Sequence, residues 1–141
     1  IMDIIIVGCG KVGSALAEVL SEEHNVTVID KNEEVIDSRV NDLDVMGIAG
    51  NCLQTDVLEE ANVDKANIFI AVTNSDEVNI LSCLIAKKMK ARHCVARVRN
   101  PEFDKQLVFM REELGISMMV NPDYNAANEI AKVLRYPTTQ T

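Results

Sequence analysis

The chain is short of positive charge and of long apolar runs. Its 141 residues contain 14 lysines and arginines against 22 aspartates and glutamates, which gives a formal net charge of −8. Because a phosphate backbone needs a basic face, this balance argues against general nucleic-acid binding. No apolar run approaches the roughly 20 residues of a transmembrane helix, and the first run is too short for a signal peptide.

The sequence also lacks the usual patterns of metal sites and of common enzymes. None of the four cysteines forms a CxxC pair, and histidine occurs only at positions 24 and 93. This spacing predicts no zinc site. GxSxG, HExxH and Tyr-x-x-x-Lys are absent, so we assign no catalytic residue. Buried, reduced thiols are the expected state of Cys9, Cys52, Cys83 and Cys94.

The most informative stretch that is present runs from Ile4 to Asp30. An apolar run meets glycines at positions 8, 10 and 13, and an amphipathic segment follows. A second apolar run then ends in Asp30. The order strand, glycine loop, helix, strand and acid is that of a Rossmann-type site that grips a dinucleotide.

Each residue of this motif has a physical role. Gly8 allows a tight turn, Gly10 lets a pyrophosphate approach the backbone, and Gly13 lets the helix pack close to the sheet. Free N–H groups and the helix dipole favour an anion at the helix start. Asp30 accepts hydrogen bonds from a ribose diol and repels a 2′-phosphate. The motif therefore favours NAD or an adenosine nucleotide over NADP.

Strand-like and helix-like runs alternate along the chain. Strands are predicted at Asp3–Val7, Val26–Ile29, Val45–Ala49, Ile68–Val72, Cys94–Val98 and Ser117–Val120. Helices are predicted at Lys11–Glu22, Asn32–Asn41, Leu53–Ala61, Glu77–Lys88, Glu102–Leu114 and Tyr124–Leu134. Continuous apolar strands joined by helices indicate a parallel sheet covered on both faces. The predicted fold is α/β, a Rossmann-like doubly wound parallel sheet of five to six strands in three layers.

Ligands of such sheets bind beyond the carboxyl ends of the strands. The candidate cofactor-binding residues at those ends are Gly8, Cys9, Gly10, Lys11, Val12, Gly13, Asp30, Lys31, Asn51, Cys52, Thr73, Asn74 and Arg97. Lys31 either lies along an adenine or is solvated, and Asn51 either reaches the adenine or shapes a turn. Thr73 and Asn74 either contact ribose or phosphates or belong only to the cap of the next helix.

Two arginines near the fifth strand need anionic partners. Arg97 and Arg99 are two residues apart, so strand periodicity places both on one face of the sheet. Two guanidinium groups on a covered face are costly unless they find anions. The candidate anions are a terminal phosphate, an acid on a helix and a group on a partner chain. Among these we predict that Arg97 contacts a phosphate and that Arg99 takes part in a structural or interface ion pair.

The end of the chain indicates a domain boundary. Pro137 is followed only by polar residues, which is typical of an exit from a domain. We therefore expect one domain over residues 1–137, with 138–141 as its exit or a linker. We also expect the chain to be one module of a longer protein.

Four segments together carry a resemblance to a known family. They are the loop GCGKVG, the pair Asp30-Lys31, the segment AVTNSDEVNI at 71–80 and the segment ARVRNPEF at 96–103. They resemble the nucleotide-binding domain of the TrkA-type potassium-uptake regulators, also called RCK-N or KTN. The resemblance extends from Met2 to about Pro137, and the last two segments are more specific than the glycine motif.

The resemblance implies a regulator rather than an enzyme. Members of the family are cytoplasmic subunits, peripheral at the inner face of the membrane, that partner a membrane potassium transporter of the Trk/Ktr type. They bind NAD(H) or ATP/ADP, and their homodimers assemble into larger rings. Exchange of the ligand changes the shape of the ring and gates potassium flow.

The resemblance also implies roles for individual residues. The matches to 8–12 hold phosphates, and the match to Asp30 holds the ribose. The matches to Thr73 and Asn74 line the site, and the match to Arg97 meets a phosphate. Some relatives bind a cation through an acid at the place of Asp123, but we predict no metal here. Two features depart from the family. Asn51 stands where many relatives have aspartate, and these 141 residues do not include the usual C-terminal ligand-binding module. The resemblance therefore implies either a truncated protein or a short form that needs a separate partner.

Two other hypotheses remain open at this point. One is a fragment of an NAD-dependent oxidoreductase, although acid–base residues and a substrate domain are missing. The other is a redox sensor that uses Cys9 or Cys52, which only their positions support. The ribose acceptor Asp30 suits NAD(H) and ATP equally, so both ligands remain candidates.

Overall fold

Strands and helices alternate through residues 1–119, the part of the chain that the computed structural model describes. The strands are β1 (Asp3–Val7), β2 (Asn25–Asp30), β3 (Met46–Ala49), β4 (Ile68–Ala71), β5 (His93–Arg97) and β6 (Ser117–Met119). The helices are α1 (Lys11–Leu20), α2 (Glu33–Val40), α3 (Thr55–Glu60), α4 (Asp76–Lys88) and α5 (Pro101–Leu114), with a 3-10 turn at Val63–Lys65. The helix predicted at Tyr124–Leu134 lies outside the described residues, as do Asp123 and the domain exit.

All strand pairs in the sheet are parallel, and the strand order is β3-β2-β1-β4-β5-β6. The chain therefore builds the sheet outward from β1 in one direction and then restarts at β4 in the other. The carboxyl ends of β1 and β4 thus form the switch point at which ligands bind in doubly wound sheets. The predicted fold class is confirmed, at the upper end of the predicted number of strands.

The two faces of the sheet carry separate hydrophobic cores. Ile4 and Ile6 of β1 pack in a cluster with α1 and α2, whereas Ile5 and Val7 pack in a second cluster with α3 and α4. Phe69 of β4 is fully buried in the second cluster. Each fully buried aliphatic side chain contributes about 1.5–3 kcal/mol. None of the helices in the described part of the chain combines the length and the apolar character that a membrane span requires.

One prediction about β5 is wrong. The strand ends at Arg97, and Arg99 lies in the following loop, where its side chain is exposed. The backbone N–H of Arg99 donates to both carboxylate oxygens of Asp76, at 3.0 and 3.1 Å. Because β5 ends at Arg97, strand periodicity does not extend to Arg99, and the two arginines do not share a strand face.

Candidate functional site

The glycine loop begins with a residue that must be glycine on two counts. Gly8 has a φ of +101°, a conformation that side chains with a β-carbon rarely adopt. A β-carbon at this position would also lie 3.0 Å from the backbone nitrogen of Thr73, just beyond β4. The Gly8 N–H donates to the carbonyl of Ile29 in β2 at 2.8 Å. The loop is therefore tied to β2 and runs close against the end of β4.

The other two glycines of the loop have opposite surroundings. A β-carbon on Gly13 would overlap the carbonyl oxygen of Gly8 and lie 2.8 Å from its carbonyl carbon. A β-carbon on Gly10 would have no heavy atom within 4 Å. Gly13 thus lets α1 pack against the loop, whereas Gly10 leaves open space above the start of the helix.

The start of α1 is open to an anion. Gly10 is the N-cap residue, no side chain caps the helix, and its first turn has no acidic residue. The N–H groups of Lys11, Val12 and Gly13 cannot find acceptors within the helix. By contrast, α2 and α4 have side-chain caps and acidic first turns. The open N–H groups and the positive end of the dipole suit a phosphate.

Asp30 stands at the end of β2 and is bonded to the glycine loop. Its Oδ2 accepts a hydrogen bond from the N–H of Cys9 at 2.8 Å. Its Oδ1 accepts from the N–H of Asn32 at 2.9 Å, just before α2. The half-buried carboxylate is therefore fixed, and each oxygen keeps a lone pair for another donor. Ribose hydroxyls are donors of this kind.

The loop after β4 is held by polar contacts of its own. The hydroxyl of Thr73 donates to Oδ1 of Asn79 in α4 at 2.6 Å. Asn74 is exposed, and its carbonyl oxygen accepts from the guanidinium of Arg99 at 3.0 Å. Ser75 caps α4 by accepting from the N–H of Val78 at 3.2 Å. Capping and structural contacts therefore account for much of this loop, as one of the two predicted interpretations requires.

Arg97 has an unsatisfied donor. Its side chain is half-buried, and its Nε is buried with no hydrogen-bond partner within residues 1–119. Burial and the nearby charge of Arg99 lower the pKa of Arg97 from its usual value, whereas Asp76 opposes the change. Buried donors in folded proteins almost always have acceptors. Arg97 thus fits an anionic ligand, and Arg99 does not show the same need because it already binds the Asn74 carbonyl.

The remaining predicted residues divide between the surface and the core. Lys11 and Lys31 are exposed. Asn51 is exposed too, but its Oδ1 accepts from the N–H of Leu53 at 2.9 Å, which shapes the turn after β3. Cys52 is buried in the core cluster beneath α3 and α4. The adenine contacts of Lys31 and Asn51 stay predictions.

The thiols are buried and unreactive in character. All four cysteines are free and buried, as predicted. Burial raises the pKa of Cys9 and of Cys52. A redox-sensing thiol needs a low pKa and access to solvent. These surroundings disfavour the redox-sensor hypothesis. Residues 1–119 also bring together no group of three or more histidine, cysteine or acidic side chains that could hold a metal ion.

Two residues of the site are not in the predicted cofactor-binding set. Asp76 opens α4, and its carboxylate accepts from the N–H groups of Arg99 and Asn100. Asn79 is fully buried in the same helix and bonds to Thr73 after β4 and to Arg97 at the end of β5. The sequence contains one signal for Asn79, because a polar residue at this position falls on the inward face of an apolar helix.

Comparison with known proteins identifies the family. The profile of the TrkA-N domain matches residues 4–122 of this chain. A relative from Archaeoglobus fulgidus named "Trk system potassium uptake protein TrkA homolog" is 40% identical over 136 residues, which are 96% of this chain and 31% of that protein. A homologue of the same name from Methanothermobacter thermautotrophicus is 34% identical over 137 residues, 96% of this chain and 62% of that protein. The chain thus spans between about a third and two thirds of these relatives.

Solved structures share the fold. The GsuK RCK domain has a TM-score of 0.67 at 26% identity, over 98% of this chain and 29% of that one. The GsuK channel bound to NAD has a TM-score of 0.69 at 19% identity, over 84% of this chain and 21% of that one. The family profile covers more than four fifths of the sequence and takes in all of the glycine loop, Asp30 and Arg97. The chain belongs to the TrkA-N domain family.

Proposed function

We propose that this chain is the nucleotide-binding regulatory domain of a Trk/Ktr-type potassium uptake system. It binds NAD(H) or ATP/ADP across the carboxyl ends of the strands. Ligand-dependent changes in a homodimer, or in a ring built from dimers, then gate a membrane potassium transporter. The domain extends over residues 1–137 and acts in the cytoplasm, held at the inner face of the membrane through the transporter subunit.

The observation that carries this proposal is the pairing of an open helix start with a fixed carboxylate. The first turn of α1 offers backbone N–H groups to a diphosphate. Asp30 lies beside that turn, because its Oδ2 accepts from the Cys9 N–H at 2.8 Å. A ribose and a diphosphate are joined in ADP, which is the part shared by ATP, ADP and NAD(H). The site fits this shared part.

Two further observations support the proposal. Two relatives that each match 96% of this chain are named Trk system potassium uptake protein TrkA homologs. The GsuK channel, whose fold this chain shares, is described with NAD bound. The proposal transfers that kind of ligand to this chain on the strength of the glycine loop and Asp30.

The switch works through a difference in affinity. Arg97 has a buried Nε that needs an acceptor, and a terminal phosphate would supply one. ATP would favour one dimer geometry through this contact, and ADP or NADH would favour another. A ligand shifts such an equilibrium only by the difference between its affinities for the two states.

The test is calorimetric binding of ATP and ADP to Arg97→Ala. We expect the ATP-over-ADP preference to fall by about tenfold, the size of one charge-assisted hydrogen bond. Arg99→Ala is the matched control, because it removes the same charge two residues away from a side chain that donates to a backbone carbonyl. The control should keep the preference. Full retention of ATP-over-ADP preference in Arg97→Ala would contradict the proposed switch.

A further inference from the structure

One side chain of α4, the carboxamide of Asn79, is bonded to residues at the ends of both β4 and β5. Asn79 and Ser82 are the buried polar residues among the side chains whose burial the structure describes, and both are 0% exposed. Burial of an amide group in an apolar core is costly unless its polar atoms are bonded. The reason for the burial of Asn79 must therefore be sought in its partners.

The amide of Asn79 is fully satisfied. Its Oδ1 accepts from the backbone N–H of Thr73 at 2.8 Å and from the Thr73 hydroxyl at 2.6 Å. Its Nδ2 donates to the carbonyl of Thr73 at 3.1 Å and to the carbonyl of Arg97 at 3.0 Å. An amide has two donors and two acceptor sites, so the group has no unused capacity. These partners also fix which end of the amide is oxygen.

The hydrogen bonds of Asn79 link β4 and β5 at the point where the backbone hydrogen bonds between these two strands stop. The β4–β5 ladder closes with Ala71 opposite Ala96. Thr73 lies two residues beyond β4, and both its backbone N–H and its carbonyl are bonded to Asn79. The same side chain holds the carbonyl of Arg97, the last residue of β5. Asn79 therefore sets the separation of the two strand ends after the ladder has stopped.

Both strand ends belong to the proposed site. Thr73 is the residue against which the glycine loop packs, since a β-carbon on Gly8 would lie 3.0 Å from the Thr73 nitrogen. Arg97 carries the unpaired buried Nε. Loss of the hydrogen bonds that Asn79 makes would move Arg97 relative to the glycine loop. Arg97 would then also move relative to any phosphate bound between them.

We propose that Asn79 is a positioning residue, which fixes Arg97 and the loop after β4 at the spacing that a phosphate-bearing nucleotide requires. This inference rests on the proposed nucleotide site. It assigns no ligand contact to Asn79, which acts through Thr73 and Arg97.

The solvent side of the same loops is fastened independently. Asp76 accepts from the N–H groups of Arg99 and Asn100, the latter at 2.8 Å, and the Arg99 guanidinium donates to the carbonyl of Asn74. The two loops therefore stay attached to each other when Asn79 is removed. Loss of the Asn79 side chain alters the distance between the two loops next to Arg97, but it does not separate the loops from each other.

The first test compares ATP with adenosine in calorimetry on Asn79→Ala. We expect the affinity for ATP to fall by about tenfold while that for adenosine changes by less than about twofold, because only ATP carries the terminal phosphate that Arg97 is proposed to contact. Ser82→Ala is the matched control, since Ser82 is equally buried in the same helix and donates to the Asn79 carbonyl. A general loss of folded protein lowers both affinities together, so the control should keep the ratio.

The second test needs no ligand. Exchange of the Thr73 amide hydrogen should be at least about tenfold faster in Asn79→Ala, with the Ile70 amide in β4 unchanged, because only the local bond is lost. A Thr73 amide that stays protected would overturn the inference. Should Asn79→Ala fail to fold, the wild-type side-chain amide of Asn79 should shift in NMR spectra with ATP and not with adenosine. An unmoved resonance would overturn the inference as well.

The two proposals fail in different ways. A wild-type chain that binds none of ATP, ADP, NAD and NADH refutes the proposed function and, with it, the role of Asn79 in selectivity. A wild-type chain that binds ATP, together with an Asn79→Ala variant that keeps the ATP-to-adenosine ratio, refutes only the inference about Asn79.

Discussion

Alanine at Gly10 and alanine at Gly13 should separate ligand binding from stability. The two glycines lie three residues apart, Gly10 at the N-cap of α1 and Gly13 in its first turn, and their surroundings differ. A β-carbon on Gly13 meets the backbone of Gly8, whereas a β-carbon on Gly10 meets nothing within 4 Å. The added methyl group therefore meets the protein backbone in Gly13→Ala. In Gly10→Ala it points into the space that we propose for the phosphate.

The expected magnitudes follow from these distances. In Gly13→Ala the overlap is with backbone, so α1 or the loop must move, and overpacking of this kind costs about 1–3 kcal/mol. The better helix propensity of alanine returns up to about 1 kcal/mol. A net loss of about 1–2 kcal/mol corresponds to a fall in Tm of roughly 5 °C.

Gly10→Ala should leave stability almost unchanged. The Gly10 backbone has φ −77° and ψ −158°, an extended conformation that alanine adopts freely. Reduced entropy of the unfolded chain stabilises the variant by about 0.4–1 kcal/mol, and the poorer N-cap offsets this by a similar amount. The added methyl occupies the approach to the helix start, so the affinity for ADP should fall by at least about tenfold, or 1.4 kcal/mol.

The assay is thermal unfolding followed by calorimetry with ADP on both variants of the 141-residue chain. Gly10→Ala should keep its Tm and lose binding, and Gly13→Ala should lose several degrees of Tm. Two results would refute the reasoning. One is wild-type affinity in Gly10→Ala, which would place the diphosphate elsewhere, and the other is an unchanged Tm in Gly13→Ala.

Two further predictions concern Asp30 and Cys94. Asp30→Ala removes the acceptor of the Cys9 N–H and the proposed ribose acceptor, so the affinity for NADH should fall by about tenfold. The preference of the chain for NADH over NADPH should shrink as well. Calorimetry with both cofactors checks this, and an undiminished preference would count against the ribose role. Burial raises the pKa of Cys94 from 9.0 to about 11. The unfolded thiol therefore ionises first, so stability from this group is complete below pH 9 and declines as the pH rises to about 11. Urea unfolding between pH 8 and 11 should show a loss of at most about 3 kcal/mol from this thiol, and Cys94→Ala should reduce the decline; an equally steep decline in the variant would contradict the assignment.

Much of the fold could be predicted because its signals are local. The apolar run of β1, the glycines after it and the acid that ends β2 are all visible within 30 residues. The start of α3 was placed two residues too early, at Leu53 instead of Thr55. The reason is that Asn51 accepts from the Leu53 N–H and forms a turn, which uses residues of good helix propensity outside the helix.

The polar framework of the site could not be predicted, because it depends on contacts across the fold. Asn79 is 6 residues from Thr73 and 18 from Arg97, and its amide joins them only when α4 packs over the ends of β4 and β5. The position of Arg99 likewise depends on Asp76, 23 residues earlier. The alternation of residues along β5 carries no information about the hydrogen bond between Asp76 and the Arg99 N–H.

The most direct test of the regulatory account is calorimetric binding of ATP, ADP, NAD and NADH to the purified chain, with the protein mass measured by light scattering in each case. The account predicts tight, selective binding of one nucleotide and a change in assembly when that nucleotide is exchanged for another. Binding of NAD and NADH alone with no change in assembly would contradict the switch and favour the oxidoreductase fragment.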